Sequence, residues 1–140
     1  MQGWGIAVLR VVVGLVFVMH GAQKLFGMGF GGVSGMLGGL GVPAPGLFAV
    51  LVTLVELVGG AALILGLFTR PAALLLAVDM LVATLMVHLP NGFFAQNGGY
   101  EFTLVLLAAG VALTIAGPGE AALDRAIAAR GNPALARLAR

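Results

Sequence analysis

A few ionisable side chains are set into sequence that is otherwise almost continuously apolar, and any chemistry must start from them. His20 and Lys24 stand one helical turn apart. His88, Asn91 and Glu101 fall at the ends of later apolar stretches. Imidazole, ammonium, amide and carboxylate brought to one depth would form a set of donors and acceptors around a small-molecule headgroup. Side chains at helix ends can equally snorkel to water, and that interfacial reading stays open at this point. Arg10, Glu56 and Asp79 form a second set, placed inside the apolar stretches rather than at their ends. An ionisable group within a bilayer costs about 2.5–3.5 kcal/mol on insertion scales, so these three are expected to be paired or to work.

The elements that must position these groups are four apolar stretches, roughly 4–26, 46–68, 71–89 and 99–117. A hydrocarbon core of about 30 Å requires about 20 apolar residues in helix. Lipid offers no water to unpaired backbone groups, so each stretch must be an α-helix. The sequence predicts an all-α integral membrane protein, a four-transmembrane-helix bundle over 1–117 followed by a basic tail over 118–140. At about 1.5 Å per residue, Arg10 lies about 9 Å into its helix, Asp79 about 12 Å and Glu56 about 18 Å from the same side. Arg10 is therefore expected to pair with Asp79 or to reach Glu56, either as a buried ion pair that locks the bundle or as part of a proton path. Helical phase puts Asp79 and His88 on opposite faces of the third stretch unless Pro90 distorts its end. Arg10, Gly14, Phe17, Gly21 and Lys24 share one stripe of the first helix, whose small residues permit close helix approach. Gly59 and Gly60, and Ala108 and Ala112, suggest the same for the second and fourth.

Composition excludes several classes. Hydrophobic residues make up 61% of the 140 and charged residues 9%, too apolar for a soluble domain of this length. The net charge is only +2, and Arg125, Arg130, Arg137 and Arg140 all sit in the tail. That distribution suits anionic lipid headgroups and gives no reason to expect nucleic acid. There is no cysteine, which removes dithiol chemistry and thiolate-ligated metal. His20 and His88 are the two histidines available for haem, with no attachment motif, and with Glu101 they show no metal-ligand spacing, so neither a metal nor haem is expected. The first stretch has no basic residue before Arg10 and continues apolar well beyond it, which reads as a retained helix rather than a signal peptide.

Basic residues also set the expected orientation. Arg70, in the tight Thr69-Arg70-Pro71 connection, and the tail arginines belong on one side if four helices alternate, which places both termini in the cytoplasm. Pro71 suits the first turn of the third helix. The glycine-rich 27–45 loop then faces outward. Its Phe30, Val33, Met36, Leu37 and Leu40 suggest a segment lying over the mouth of the bundle. Pro118-Gly119 marks a helix stop, and Leu123 with Ile127 gives the tail a short amphipathic helix.

Several runs together resemble the DoxX family of small bacterial membrane proteins. These are His20-Gly21-Ala22-Gln23-Lys24-Leu25-Phe26, Glu56-Leu57-Val58-Gly59-Gly60, Leu65-Gly66-Leu67-Phe68-Thr69-Arg70, His88-Leu89-Pro90-Asn91-Gly92-Phe93-Phe94, Gly98-Gly99-Tyr100-Glu101 and Gly117-Pro118-Gly119 with Leu123-Asp124. The resemblance implies a four-helix protein of the bacterial plasma (inner) membrane. The family takes its name from a subunit of a thiosulfate:quinone oxidoreductase, while other members are linked to oxidant or sulfur stress, to copper-handling operons or to no known activity. By that analogy Arg10, His20, Lys24, Glu56, His88 and Glu101 carry the family's polar pattern, and a quinone is the implied ligand. A quinone suits the outer polar set of His20, Lys24, His88, Asn91 and Glu101, because its tail dissolves in lipid while its ring needs hydrogen bonds near the interface. Reduction also takes up protons, which His20 and Glu101 can exchange. Three functions remain open: a membrane component of a quinone-linked oxidoreductase, a non-enzymatic subunit or anchor of a larger complex, and a small-solute or proton pathway. The first two imply a partner subunit or a homo-oligomer.

Overall fold

The computed structural model describes residues 1–131, and all regular structure among them is helical. Helix α1 (Gln2–Ala22) runs on into a π-helical segment, Gln23–Met28, and the chain then bends at Gly29, whose φ of 69° only glycine adopts without strain. Helix α2 (Gly29–Gly39) follows, where a loop is expected from the density of glycine, and it packs back on α3 (Pro45–Leu65). Fully buried Val33 anchors α2, most of whose other side chains are exposed. Helix α4 (Thr69–Ala83) continues as a π-helical segment, Thr84–His88, and a 3-10 turn, Leu89–Asn91. Helix α5 (Glu101–Ala116) and short α6 (Leu123–Ala129) complete the fold. The segments Gln2–Gly39, Pro45–Leu65 and Thr69–Asn91 are long and apolar enough to cross a membrane. Helix α5 is apolar but has 16 residues, which is about 24 Å of rise.

Small residues decide how the helices approach. A Cβ added at Gly14 would lie 2.6 Å from the Gly60 carbonyl oxygen, and one at Gly60 would lie 2.7 Å from that of Gly14. The backbones of α1 and α3 are therefore in contact. Gly60→Ala should destabilise the protein by about 1–3 kcal/mol, read as a melting shift in detergent, because backbone cannot yield to it. Gly59→Ala meets only the flexible end of Leu76 and should be far milder. On α5 the close residue is Gly110, set against Ala73 and Ala77 of α4. Ala108 and Ala112, expected on that interface, are exposed instead, because the buried stripe of α5 runs through Thr103, Leu106, Gly110 and Leu113. A 2.9 Å hydrogen bond from Thr84 Oγ1 to Thr103 Oγ1 adds polar linkage between α4 and α5. Val13, Phe17, Leu63, Leu76 and Leu113 fill the centre, while large aliphatic and aromatic side chains cover the exterior. An apolar exterior over an apolar core is what a lipid environment requires.

The end holding the N-terminus is closed by the tail. Gly3 accepts a backbone hydrogen bond from Glu120 (3.0 Å), so the first helix begins where the tail begins. Asp124 is buried, and its two carboxylate oxygens accept the Phe68 and Thr69 N–H groups at 2.7 and 2.9 Å. A side chain from the tail thus caps α4, which has no cap of its own. Arg10 does not take the partner expected for it. Its guanidinium donates to the carbonyls of Pro118 (2.6 Å) and Ala121 (2.9 Å), and it is attracted to Asp124. The correction is one of reach: its long stem turns toward the tail rather than up into the bundle. Arg70 donates to the carbonyls of Thr114 and Ile115 at the unpaired end of α5. Arg125 pairs with Glu120 at 2.6 Å. Arg137 and Arg140 lie outside the described residues.

Candidate functional site

At the far end of the bundle, α1, α2, α3, α4, α5 and the loop before α5 enclose a chamber of about 420 Å³. Its walls are mainly apolar, with Phe17, Met36, Leu37, Ala83, Phe102 and Leu106 contributing. Five ionisable side chains reach it: His20, Lys24, Glu56, Asp79 and His88. Lys24 Nζ donates to Glu56 Oε2 at 2.7 Å, with the Glu56 side chain almost fully buried. Asp79 interacts with both, repelled by the Glu56 carboxylate and attracted by the Lys24 ammonium. Its Oδ2 is shielded from solvent and accepts no hydrogen bond. Glu56 and Asp79, expected to partner Arg10, instead form the polar floor of this chamber.

Both histidines are held by backbone. His20 Nδ1 lies 2.9 Å from the Val16 carbonyl, and His88 Nδ1 lies 2.8 Å from that of Gly98. A carbonyl only accepts, so each Nδ1 carries the proton and each ring keeps Nε2 for another contact. The His20 ring also packs against Phe102, centroids 5.9 Å apart. Of the polar set expected to surround a headgroup, His20, Lys24 and His88 line the chamber. Asn91 and Glu101 do not. Asn91 donates to the Val87 and Gly98 carbonyls at 3.3 Å, and Glu101 accepts the Ala95 N–H at 2.8 Å. Both hold the loop before α5 in shape, because Glu101 begins α5 and faces the 3-10 turn at Ala95–Asn97.

The two π segments make this convergence. In a continuous α-helix Asp79 and His88 would face opposite ways. The Thr84–His88 segment bonds at i→i+5, with the Leu89 N–H reaching the Thr84 carbonyl, and the wider turn brings His88 round to the side of Asp79. Pro90 follows after Leu89 and has no N–H to continue an α-helical ladder. On α1 the Gln23–Met28 segment contains Lys24, so both π segments contribute a charged or ionisable lining residue. Sequence reasoning misses Glu56 and Asp79 as lining residues, and a signal for Glu56 exists. Gly14 opposes Gly60 and Gly21 opposes Leu57 across an antiparallel pair, a register that leads Lys24 to Glu56.

An apolar helix bundle that encloses a ligand-sized chamber with an ion pair at its floor defines, among the described residues, the architecture of a helical membrane protein. The chain belongs to the DoxX family, whose profile matches residues 5–89. It is 35% identical over 139 residues to an uncharacterized membrane protein of Mycobacterium tuberculosis, covering 92% of this chain and 85% of that one. It is 33% identical over 120 residues to the Bacillus subtilis protein named "Putative oxidoreductase CatD" (86% of this chain, 84% of that one). The Escherichia coli inner membrane protein YphA is 32% identical over 129 residues (84% and 86%). No solved structure matches the chain.

Proposed function

We propose that this protein is a membrane component of a quinone-linked oxidoreductase and that the chamber holds the quinone ring. The observation that carries this reading is the chamber itself. A largely apolar space of about 420 Å³ ends in Lys24, Glu56 and Asp79 and is flanked by His20 and His88. Such a site suits a ring with polar substituents and an apolar body. Val82, Met86 and Phe102 line the chamber and are also exposed on the apolar exterior, which gives an isoprenoid tail a way out toward lipid. The name of the Bacillus subtilis relative supports an oxidoreductase role. With no cysteine in the chain, electrons arrive by direct transfer within the site or from a partner subunit.

The proposed setting is the bacterial inner membrane, with α5 as a fourth, short crossing and both termini cytoplasmic. The Gly3–Glu120 hydrogen bond supports an even number of crossings, and Arg70, Arg125 and Arg130 at that end support its cytoplasmic side. Reporter fusions after Gly131 and within α2 should report opposite sides, and the same side for both would remove the four-crossing arrangement. For the site, the protein purified in native lipid should release about one quinone per chain on solvent extraction. Ala83→Leu, which intrudes on the chamber, should lower that yield several-fold without moving the melting temperature by more than a few degrees. Extracts without quinone, together with no saturable binding of ubiquinone-1, would leave the anchor role in its place.

A further inference from the structure

The walls of the chamber are not equally fixed. Helices α1 and α3 meet backbone to backbone at Gly14 and Gly60, and the 2.7 Å Lys24–Glu56 pair ties the continuation of α1 to α3 again. Helices α4 and α5 close on one another at Gly110, and the Thr84–Thr103 hydrogen bond joins their chamber ends. Helix α2 has neither kind of tie. Among the described residues, no hydrogen bond or ion pair links it to another helix. No charged residue occurs in the chain between Lys24 and Glu56 to supply one. Val33 is the one buried residue of α2, which packs on α3, while Met36, Leu37 and Leu40 line the chamber.

We infer that α2 is a hinged lid, and that the ring enters and leaves the chamber when α2 swings off α3. This rests on the chamber being a quinone site. At each end of α2 the chain turns through a glycine of positive φ, Gly29 at 69° and Gly41 at 78°. With no side chain to restrict rotation, these two positions can absorb the backbone change. The helix between them keeps its own N–H···O=C bonds as it moves, which is the condition for moving backbone in lipid. What the swing breaks is apolar contact, chiefly at Val33, and lipid chains that take its place restore most of it. Parting α1 from α3 would instead separate Lys24 from Glu56. The lid therefore sets how fast the ligand is exchanged.

The test is a lock. Ser34 Oγ lies 3.9 Å from the Cβ that a side chain at Gly46 would carry, and a disulfide spans Cβ atoms about 3.5–4.5 Å apart. Ser34→Cys with Gly46→Cys would give the chain its only thiols. The full-length protein in nanodiscs is loaded with tritiated ubiquinone-1 and chased with unlabelled ubiquinone-1. Oxidation should slow uptake and release by about tenfold or more while the equilibrium affinity stays within about twofold, and dithiothreitol should reverse the effect. Val33→Ala is a second arm without thiols, because Val33 anchors α2 but does not line the chamber. It should speed release several-fold, since the closed lid loses its buried contact. Release from the oxidised pair as fast as from the reduced one would overturn the lid and leave the quinone site standing. If the pair does not oxidise, unchanged release from Val33→Ala overturns it in the same way. A parent protein without saturable binding of ubiquinone-1 would overturn both.

Discussion

Lys24→Ala should cost about 3–5 kcal/mol of stability, because it strands the Glu56 carboxylate in the bundle with its cation removed. The Glu56 side chain is 3% exposed, and Asp79 beside it adds a second carboxyl rather than relief. A large fall in melting temperature in detergent, or loss of folded yield, is the expected result. Lys24→Met combined with Glu56→Leu should recover most of that stability, since two apolar side chains of similar volume remove both the charge and its burial. That double variant separates stability from function: it should fold and should no longer bind quinol or quinone. If Lys24→Ala melts like the parent, the 2.7 Å pair contributes nothing and the floor of the chamber is not what holds this end together.

Arg10→Ala should be comparably damaging, by roughly 3–6 kcal/mol, for a different reason. Its guanidinium makes two charge-assisted hydrogen bonds to the carbonyls of Pro118 and Ala121, each worth about 1.5–3 kcal/mol. Those bonds fix the segment that delivers Asp124 to the start of α4. Arg10→Lys should recover only part of the loss, because a single ammonium lacks the planar fork that serves two carbonyls at once. The readout that separates this role from one in the chamber is ligand affinity. The fraction of Arg10→Ala that folds should bind at the chamber as the parent does, since Arg10 is not among its lining residues. Weakened binding by the folded fraction would mean the two ends of the bundle are coupled.

Much of the architecture was legible in the residues, and the errors have physical causes. Apolar stretches between glycine- and proline-marked turns located the helices, but the tight turn falls at Gly66–Phe68, and Thr69-Arg70-Pro71, where it was expected, forms the first turn of α4. The stripe of Gly14 and Gly21 did mark the α1 contact with α3. The partner of Arg10 was misjudged because depth was measured at the Cα, whereas a long side chain places its charge well away from its own backbone. The meeting of Asp79 with His88 was hidden because nothing in a uniform helical phase announces a π turn, although Pro90 hinted at one. The α5 stripe was out of phase by one to two residues, an error that alanines, equally at home against lipid or helix, do nothing to expose. Asn91 and Glu101 were drawn into the site by depth alone, and their hydrogen bonds to Val87, Gly98 and Ala95 show that depth without azimuth does not define a pocket.

The closed tail end has a kinetic corollary. Beneath Phe17 and Leu106 the interior is filled by Val13, Leu63, Leu76 and Leu113, and the Arg10–Asp124 network seals what lies beyond. The chamber is closed toward the tail end, a room rather than a corridor through the bundle. Two reactants that both need its floor must take turns there, the first departing before the second arrives. If electrons come from a partner subunit rather than by direct transfer, turnover through such a room would follow a ping-pong pattern, with parallel lines in a double-reciprocal plot, and the electron pair would wait on a redox group of that partner between visits, since the chain has no cysteine to hold it.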